Sequence, residues 1–213
     1  MQDKLHTYIE SLITKRKPIF EEMERYAEEH GVPIMELTGI ETLLQILRIQ
    51  RPAKILEIGA AIGYSAMRIA DALPNSYLVT IERDENRFKQ AMKNIERAGM
   101  IGQINVVQGD ALEVFEKIKN EGPFDAIFVD AAKGQYLKFF EMYSPLLSEN
   151  GIILTDNVLF KGLVAEDNIE SKRIRNLVKK IKNYNEWLMS HSQYITTIIP
   201  VGDGLAVSKK SSI

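Results

Sequence analysis

The chain predicts an α/β fold: a mostly parallel seven-stranded sheet with helices on both faces, closing in an antiparallel hairpin. Three observations carry this. Apolar strand-like runs alternate with helical patterns through the middle of the chain. The first run turns into a helix through the small-residue segment G-A-A-I-G-Y-S-A. The last two runs flank P-V-G-D-G and close the βα series as a pair.

Taken in order, residues 1–50 read as helices packed on or capping the core of a single domain, 1–213. Leu5, Ile9, Leu12 and Ile13 share one helical stripe, and Pro18 breaks or restarts the helix after Lys15, Arg16 and Lys17. Gly31 and Pro33 mark a loop. Thr38 is placed to cap a helix carrying Leu43, Leu44, Ile46 and Leu47, which stops before Pro52. Strand-like runs follow at 54–58, 77–81, 104–108, 125–129 and 151–155, with helix-like stretches at 64–72, 85–98, 111–120 and 135–147 between them. A long helix over about 168–188 carries Ile174, Leu177, Val178, Ile181, Tyr184 and Leu188 at helical spacing. Two short strands near 193–199 and 204–208 end the chain.

Composition narrows the function. A chain of 213 residues with 45% hydrophobic and 26% charged residues fits one globular domain. Cysteine is absent, which excludes disulfides, thiolate zinc sites and cysteine nucleophiles. His6, His30 and His191 are too scattered for a histidine metal cage. The mixed-charge start M-Q-D-K-L-H is no signal peptide, and no apolar run approaches a membrane span, so a cytoplasmic protein is expected. A net charge of −2 gives no global pull toward nucleic acid.

The first strand and its turn carry the first chemistry. The run K-I-L-E-I-G-A-A-I-G places Glu57 before Gly59 and Gly63, and the next strand, Y-L-V-T-I, ends in Glu82. An acidic side chain there can accept hydrogen bonds from both hydroxyls of a ribose, which implies an adenosyl cofactor. The spacing E-x-G-x-x-x-G lacks the dinucleotide glycines, and Ala61 stands where the second would be. Glu57 would repel a pyrophosphate and attract a cation. The cation attached to an adenosine is the sulfonium of S-adenosylmethionine. A ligand-free strand-to-helix turn is the bland alternative.

A second constellation lies further on. F-D-A-I-F-V-D ends in Asp130, and G-I-I-L-T-D-N ends in Asp156 and Asn157. Ligands of open α/β sheets bind beyond the carboxyl ends of the strands. If these two strands are neighbours, two carboxylates and an amide oxygen converge as hard ligands for magnesium or manganese. Singly, Asp130 or Asp156 would be a cap or turn residue, the reading that suits Asp125.

The segments I-L-E-I-G-A-A-I-G-Y-S-A, I-E-R-D, V-D-A-A-K, L-T-D-N-V and P-V-G-D-G resemble those of the metal-dependent catechol and caffeoyl-CoA O-methyltransferases, in order, from about Thr38 to Lys209. Among bacterial members the chain looks most similar to the tRNA 5-hydroxyuridine methyltransferases. The resemblance implies the class I methyltransferase Rossmann-like fold and roles position by position. Glu57, Gly59, Gly63 and Ser65 would surround the methionine part of S-adenosylmethionine, with Thr38 over its end. Glu82 would hold the ribose, and Asp110 with Ala111 the adenine. Asp130, which also borders the cofactor, would ligate the metal with Asp156 and Asn157. Lys133 would be the general base, with Asp130 beside it as a catalytic group. The relatives often form homodimers, and the N-terminal helices could make one here.

The chain departs from the catechol pattern. Its one tryptophan, Trp187, lies on the late helix rather than walling a substrate. The stretch I-T-T-I-I-P-V-G carries no acid before the final D-G. An acceptor with two vicinal oxygens is still required, and 5-hydroxyuracil meets that as a catechol does. The expected partner is therefore a tRNA anticodon loop, with a small catechol-like or phenolic acceptor as alternative. A non-catalytic S-adenosylmethionine-binding protein is disfavoured because it would need neither metal nor base. Lys172, Arg173, Arg175, Lys179, Lys180 and Lys182 fall on the late helix, whose bland reading is a solvated face. Lys161, Lys172, Arg173 and Arg175 are the candidate substrate contacts, Lys161 being four residues past Asn157.

Overall fold

The computed structural model describes residues 2–211. Three helices come first: α1 (Gln2–Leu12), α2 (Pro18–His30) and α3 (Leu37–Gln50). The alternating part runs β1 (Lys54–Ile58), α4 (Tyr64–Ala72), β2 (Tyr77–Glu82), α5 (Glu85–Arg97), β3 (Ile104–Gln108), α6 (Phe115–Ile118), β4 (Phe124–Val129), α7 (Tyr136–Tyr143) and β5 (Leu147–Thr155). The chain then forms α8 (Lys172–Met189), β6 (Tyr194–Ile199) and β7 (Leu205–Lys210). No described helix is long and apolar enough to cross a membrane.

The strands form one sheet in the order β3-β2-β1-β4-β5-β7-β6. The first five are parallel, and β7 pairs antiparallel with both β5 and β6. Strand order reverses between β1 and β4, and a crevice opens at the carboxyl ends where it does. β1 and β4 are near-continuous apolar runs because both their faces are covered. Side chains alternate between two cores. Phe20, Leu43, Leu47, Met67 and Phe128 fill one face beneath α2, α3 and α4. Ile127, Phe140, Tyr143, Tyr184 and Leu188 fill the other beneath α7 and α8.

Several boundaries differ from the sequence reading. Thr38 does not cap α3: the cap position is Glu36, and Thr38 is already inside the helix, buried, with its hydroxyl unpartnered among the described residues. The helix expected over 111–120 shrinks to Phe115–Ile118, because Asp110 folds the preceding residues into a turn. Its carbonyl accepts from the amides of Glu113 and Val114, and its carboxylate from that of Leu112. Asp125 caps no helix. It lies within β4 and accepts the amides of Ala53 (2.9 Å) and Lys54 (3.1 Å), tying down the approach to β1. α8 begins later than expected, where the Ser171 hydroxyl accepts the Ile174 amide. The stripe of Leu5, Ile9 and Leu12 faces outward in the single chain.

A buried ion-pair network docks the N-terminal helices onto the sheet layer. Arg68 of α4, 6% exposed, donates to the Tyr64 hydroxyl at 2.7 Å and to Glu41 of α3. Tyr64 in turn donates to Glu24 of α2 at 2.6 Å, and Arg16 forks onto the same Glu24. The Arg68 guanidinium also lies over the rings of Phe20 and Tyr64. Removing it would take from Glu41 its Arg68 donor and from Glu24 a nearby cation 3.9 Å away. Arg68→Met should therefore cost about 2–3 kcal/mol, which for a chain of this size lowers the melting temperature by roughly 4–12 °C. Thermal denaturation followed by circular dichroism checks this, and an unmoved midpoint would show the network to be dispensable.

Candidate active site

The crevice at the strand ends is a cleft of about 300 Å³. Four of the five parallel strands deliver a polar group to its mouth or floor: Glu82 ends β2, Asp110 follows β3, Asp130 follows β4, and Asp156 and Asn157 follow β5. Gly59, Ser65, Glu82, Asp110, Ala111, Asp130, Lys133, Asp156 and Asn157 all line it, so most of the residues singled out in the sequence meet in one cavity. The α2–α3 linker, Pro33–Met35, forms one wall.

The glycine after β1 is needed for close approach. Gly59 has φ +106°, and a β-carbon there would lie 2.0 Å from the Asp130 carbonyl oxygen. Only a residue without one lets the β1 turn and the β4 end come together. The turn continues through Ala61 at φ +46°, whose amide donates to Glu82 Oε2 at 2.8 Å. The other oxygen of Glu82 accepts the Asp84 amide at 2.8 Å. Both oxygens are fixed by backbone donors, and each keeps lone-pair capacity for a ligand hydroxyl.

Glu57 plays a different part from the one its position suggested. It is fully buried, and its two oxygens accept from the Ser65 and Thr80 hydroxyls, Thr80 being its partner across β1 and β2. Burial pushes its pKa up to about 7 against the pull of those two hydrogen bonds. As it stands it shapes the cleft through Ser65 and does not reach the surface. Gly63, the residue before α4 at φ +85°, and Thr38 also stand behind the lining rather than in it.

The adenine-side loop is held from behind. Asp110 carries an Arg83 guanidinium 3.9 Å from its carboxylate, and the Ala111 carbonyl accepts the buried Tyr143 hydroxyl at 2.6 Å.

Asp130, Asp156, Asn157 and Lys133 form the other end. Asn157 accepts from Lys133 Nζ through its amide oxygen and donates its amide nitrogen to Asp156. The Asp156 main chain is fixed by the Tyr136 hydroxyl, which donates to its carbonyl at 2.8 Å. The Asp130 carboxylate accepts no hydrogen bond and makes no ion pair among the described residues. Burial and mutual repulsion raise the pKa of Asp156, and burial raises that of Asp130. Two poorly satisfied carboxylates beside an amide oxygen suit a hard divalent cation. No group of three or more His, Cys, Asp or Glu poised to hold a metal exists among the described residues, so a cation bound here would rest on this mixed set of two carboxylates and an amide oxygen.

Two residues here escaped the sequence reading. Asp203 of P-V-G-D-G raises the pKa of both Asp130 and Asp156 by its charge and accepts the Lys161 amide at 3.1 Å. Phe160 sets its ring 5.8 Å from Lys133 Nζ, supplying an aromatic surface where no tryptophan stands. Asp203 was legible as the acid of a quoted motif. Phe160 was hidden because its contact depends on a left-handed backbone at residues 160 and 161. The basic candidates do not cluster: Lys161 follows β5, while Lys172, Arg173 and Arg175 begin α8, and Arg175 donates to the Glu170 carbonyl.

Known proteins resemble this chain. A family model described as O-methyltransferase matches residues 10–211. A catechol O-methyltransferase of Niastella koreensis is 33% identical over 84% of each chain. The O-methyltransferase of Bacillus cereus, solved with S-adenosylhomocysteine, is 27% identical with a TM-score of 0.83, covering 98% of this chain and 97% of that one. A Staphylococcus aureus structure assigned provisionally as a caffeoyl-CoA O-methyltransferase is 37% identical with a TM-score of 0.87, covering 99% and 97%. With a family match across nearly its whole length, this chain belongs to the O-methyltransferase family of enzymes.

Proposed function

We propose that this enzyme transfers a methyl group from S-adenosylmethionine to the 5-hydroxyl of 5-hydroxyuridine at the tRNA wobble position, giving 5-methoxyuridine with the help of a divalent cation. The observation that carries it is the convergence of Asp130, Asp156, Asn157 and Lys133 at one end of a cleft whose other end presents Glu82 and Asp110. That is a metal-and-base end facing an adenosyl end. Bound S-adenosylhomocysteine in the Bacillus cereus relative supports the cofactor.

Glu82 would accept the ribose hydroxyls, Asp110 and Ala111 would flank the adenine, and Ser65 and Gly59 would border the methionine part. Asp130, Asp156 and Asn157 would hold magnesium or manganese, which supplies a Lewis acid for two vicinal acceptor oxygens and lowers the pKa of the one attacked. Lys133 Nζ would take the acceptor's proton. The acceptor oxygen then displaces the thioether in line: the O–C bond forms as the S–C bond breaks, and sulfur keeps the electron pair. Phe160 offers the acceptor ring a face. The absence of catechol-type tryptophan walls favours a nucleobase, and Lys161, Lys172 and Arg173 would supply phosphate contacts. The Niastella koreensis relative supports a second reading, a small catechol-like acceptor at the same oxygens. The outward row of Leu5, Ile9 and Leu12 would be covered by a second copy in a homodimer.

Three measurements test the chemistry. Glu82→Ala should weaken S-adenosylmethionine binding by on the order of 1.5–3 kcal/mol, read by calorimetry, and wild-type affinity would remove Glu82 from the site. Excess chelator should abolish turnover and magnesium or manganese restore it, with Asp156→Ala losing catalysis far more than cofactor binding. Full activity after exhaustive dialysis into EDTA would sink the cation. Lys133→Ala should slow single-turnover methyl transfer roughly 10²–10⁴-fold, least for acceptors already ionised at the assay pH. An unchanged rate would make Lys133 a bystander. The acceptor itself is decided by supplying tRNA bearing 5-hydroxyuridine and small catechols side by side with methyl-labelled cofactor.

A further inference from the structure

We propose that Lys180, with Arg173 on the same stripe of α8, forms a phosphate-binding rim at the acceptor mouth of the cleft; this rests on the RNA reading above. The observation is where Lys180 lies. A β-carbon built on Gly134 would be 3.5 Å from Lys180 Nζ, 3.6 Å from its Cδ and 3.9 Å from Leu177 Cδ1. The lysine stem therefore runs along the backbone of the 3-10 turn Lys133–Gln135, whose Lys133 and Gln135 line the cleft. Its ammonium makes no ion pair and no hydrogen bond among the described residues. A stem already packed on the active-site turn, with a free cationic head, loses little further freedom on meeting an anion.

The basic residues of α8 separate by what they face. At 100° per residue, Arg173, Leu177 and Lys180 share one flank, and Arg173 sits two turns, about 10.5 Å, before Lys180. The opposite flank, with Arg175, Lys179 and Lys182, shares a separate groove with Glu166, Asp167 and Glu186. Acids offset the charge there. On the Lys180 flank the two exposed cations make no ion pair among the described residues, and that flank borders Lys133. A base inserted toward Lys133 leaves its own and neighbouring phosphates outside the cleft, where a rim cation can meet them. Single-stranded RNA with an unstacked base is the ligand this placement fits.

The test uses the full chain with two acceptors, an anticodon stem-loop RNA carrying 5-hydroxyuridine and the free 5-hydroxyuridine nucleoside. Lys180→Ala should raise KM for the stem-loop about five- to tenfold and flatten the dependence of log KM on log salt by about 0.7, one single-strand phosphate contact. Activity on the nucleoside should be unchanged, Lys180→Arg should restore the stem-loop KM, and Lys179→Ala on the opposite flank should leave both acceptors unaffected. An unaltered KM and salt slope for Lys180→Ala, while the wild type methylates the stem-loop, would overturn the rim and leave the wobble reading standing. Equal loss on both acceptors would overturn it too, making Lys180 a prop for the Lys133 turn. A wild type inert on the stem-loop but active on a catechol would remove the wobble reading and the rim with it.

Discussion

Gly59 and Asp130 meet so closely that the rest of the site follows from that contact. The sheet's strand order reverses between β1 and β4, so their carboxyl ends are neighbours whose connections leave in opposite directions. A 2.0 Å separation between a hypothetical Gly59 β-carbon and the Asp130 carbonyl means any side chain would force the two turns apart. Held together, the β1 turn delivers the Ala61 amide to Glu82, and the β4 end delivers Asp130 to the same cleft. One backbone approach thus couples the end proposed for the adenosyl group to the end proposed for the cation and base, as methyl transfer needs because donor and acceptor must be aligned before reaction.

The acidic residues around the cleft differ less in identity than in how fully the protein satisfies them. Glu57 has two hydroxyl donors and no exposure. Glu82 has two backbone amides and faces the cavity. Asp156 has the Asn157 amide, and Asp130 has no donor among the described residues. Carboxylates withdrawn from water without partners are costly, and the gradient runs from buried Glu57 toward half-buried Asp130, at the end proposed for the cation. Part of the electrostatic cost of folding is left standing where a positively charged ligand would remove it.

Much of this was legible in the sequence because parallel sheets fix where strand ends go. Once the alternation located β1 to β5, Glu82, Asp130, Asp156 and Asn157 had to lie on one edge, and they do. Periodicity was less informative where side chains compete with it. Asp110 turns the chain locally and shortens α6, and Glu36 rather than Thr38 stands at the start of α3 because α3 begins two residues earlier than a Thr38 cap implies. The charge of Glu57 ahead of Gly59 points to a cationic ligand. The burial of Glu57 depends on Thr80 across the β1–β2 register, a long-range fact that no local pattern carries. Phe160 was invisible for a similar reason, since its aim follows from positive φ at residues 160 and 161.

The two ends of the cleft are built by different means, and this bears on specificity. The adenosyl end sits on strand termini and the capped start of α5. The acceptor end depends on the segment after β5, where Asn157, Phe160 and Lys161 all adopt positive φ without being glycine. Such conformations cost energy and persist only when the surroundings over-determine them. Here Asp203 does so, its carbonyl accepting the amides of Leu159 and Phe160 and its carboxylate that of Lys161, while a β-carbon at Gly204 would clash with Leu159 at 2.4 Å. The antiparallel hairpin thereby acts as a clamp on the loop proposed to meet the acceptor. Substitutions in P-V-G-D-G would then reshape the acceptor side while leaving Glu82 and Asp110 in place, so one sheet can keep its cofactor chemistry and present different faces to different acceptors.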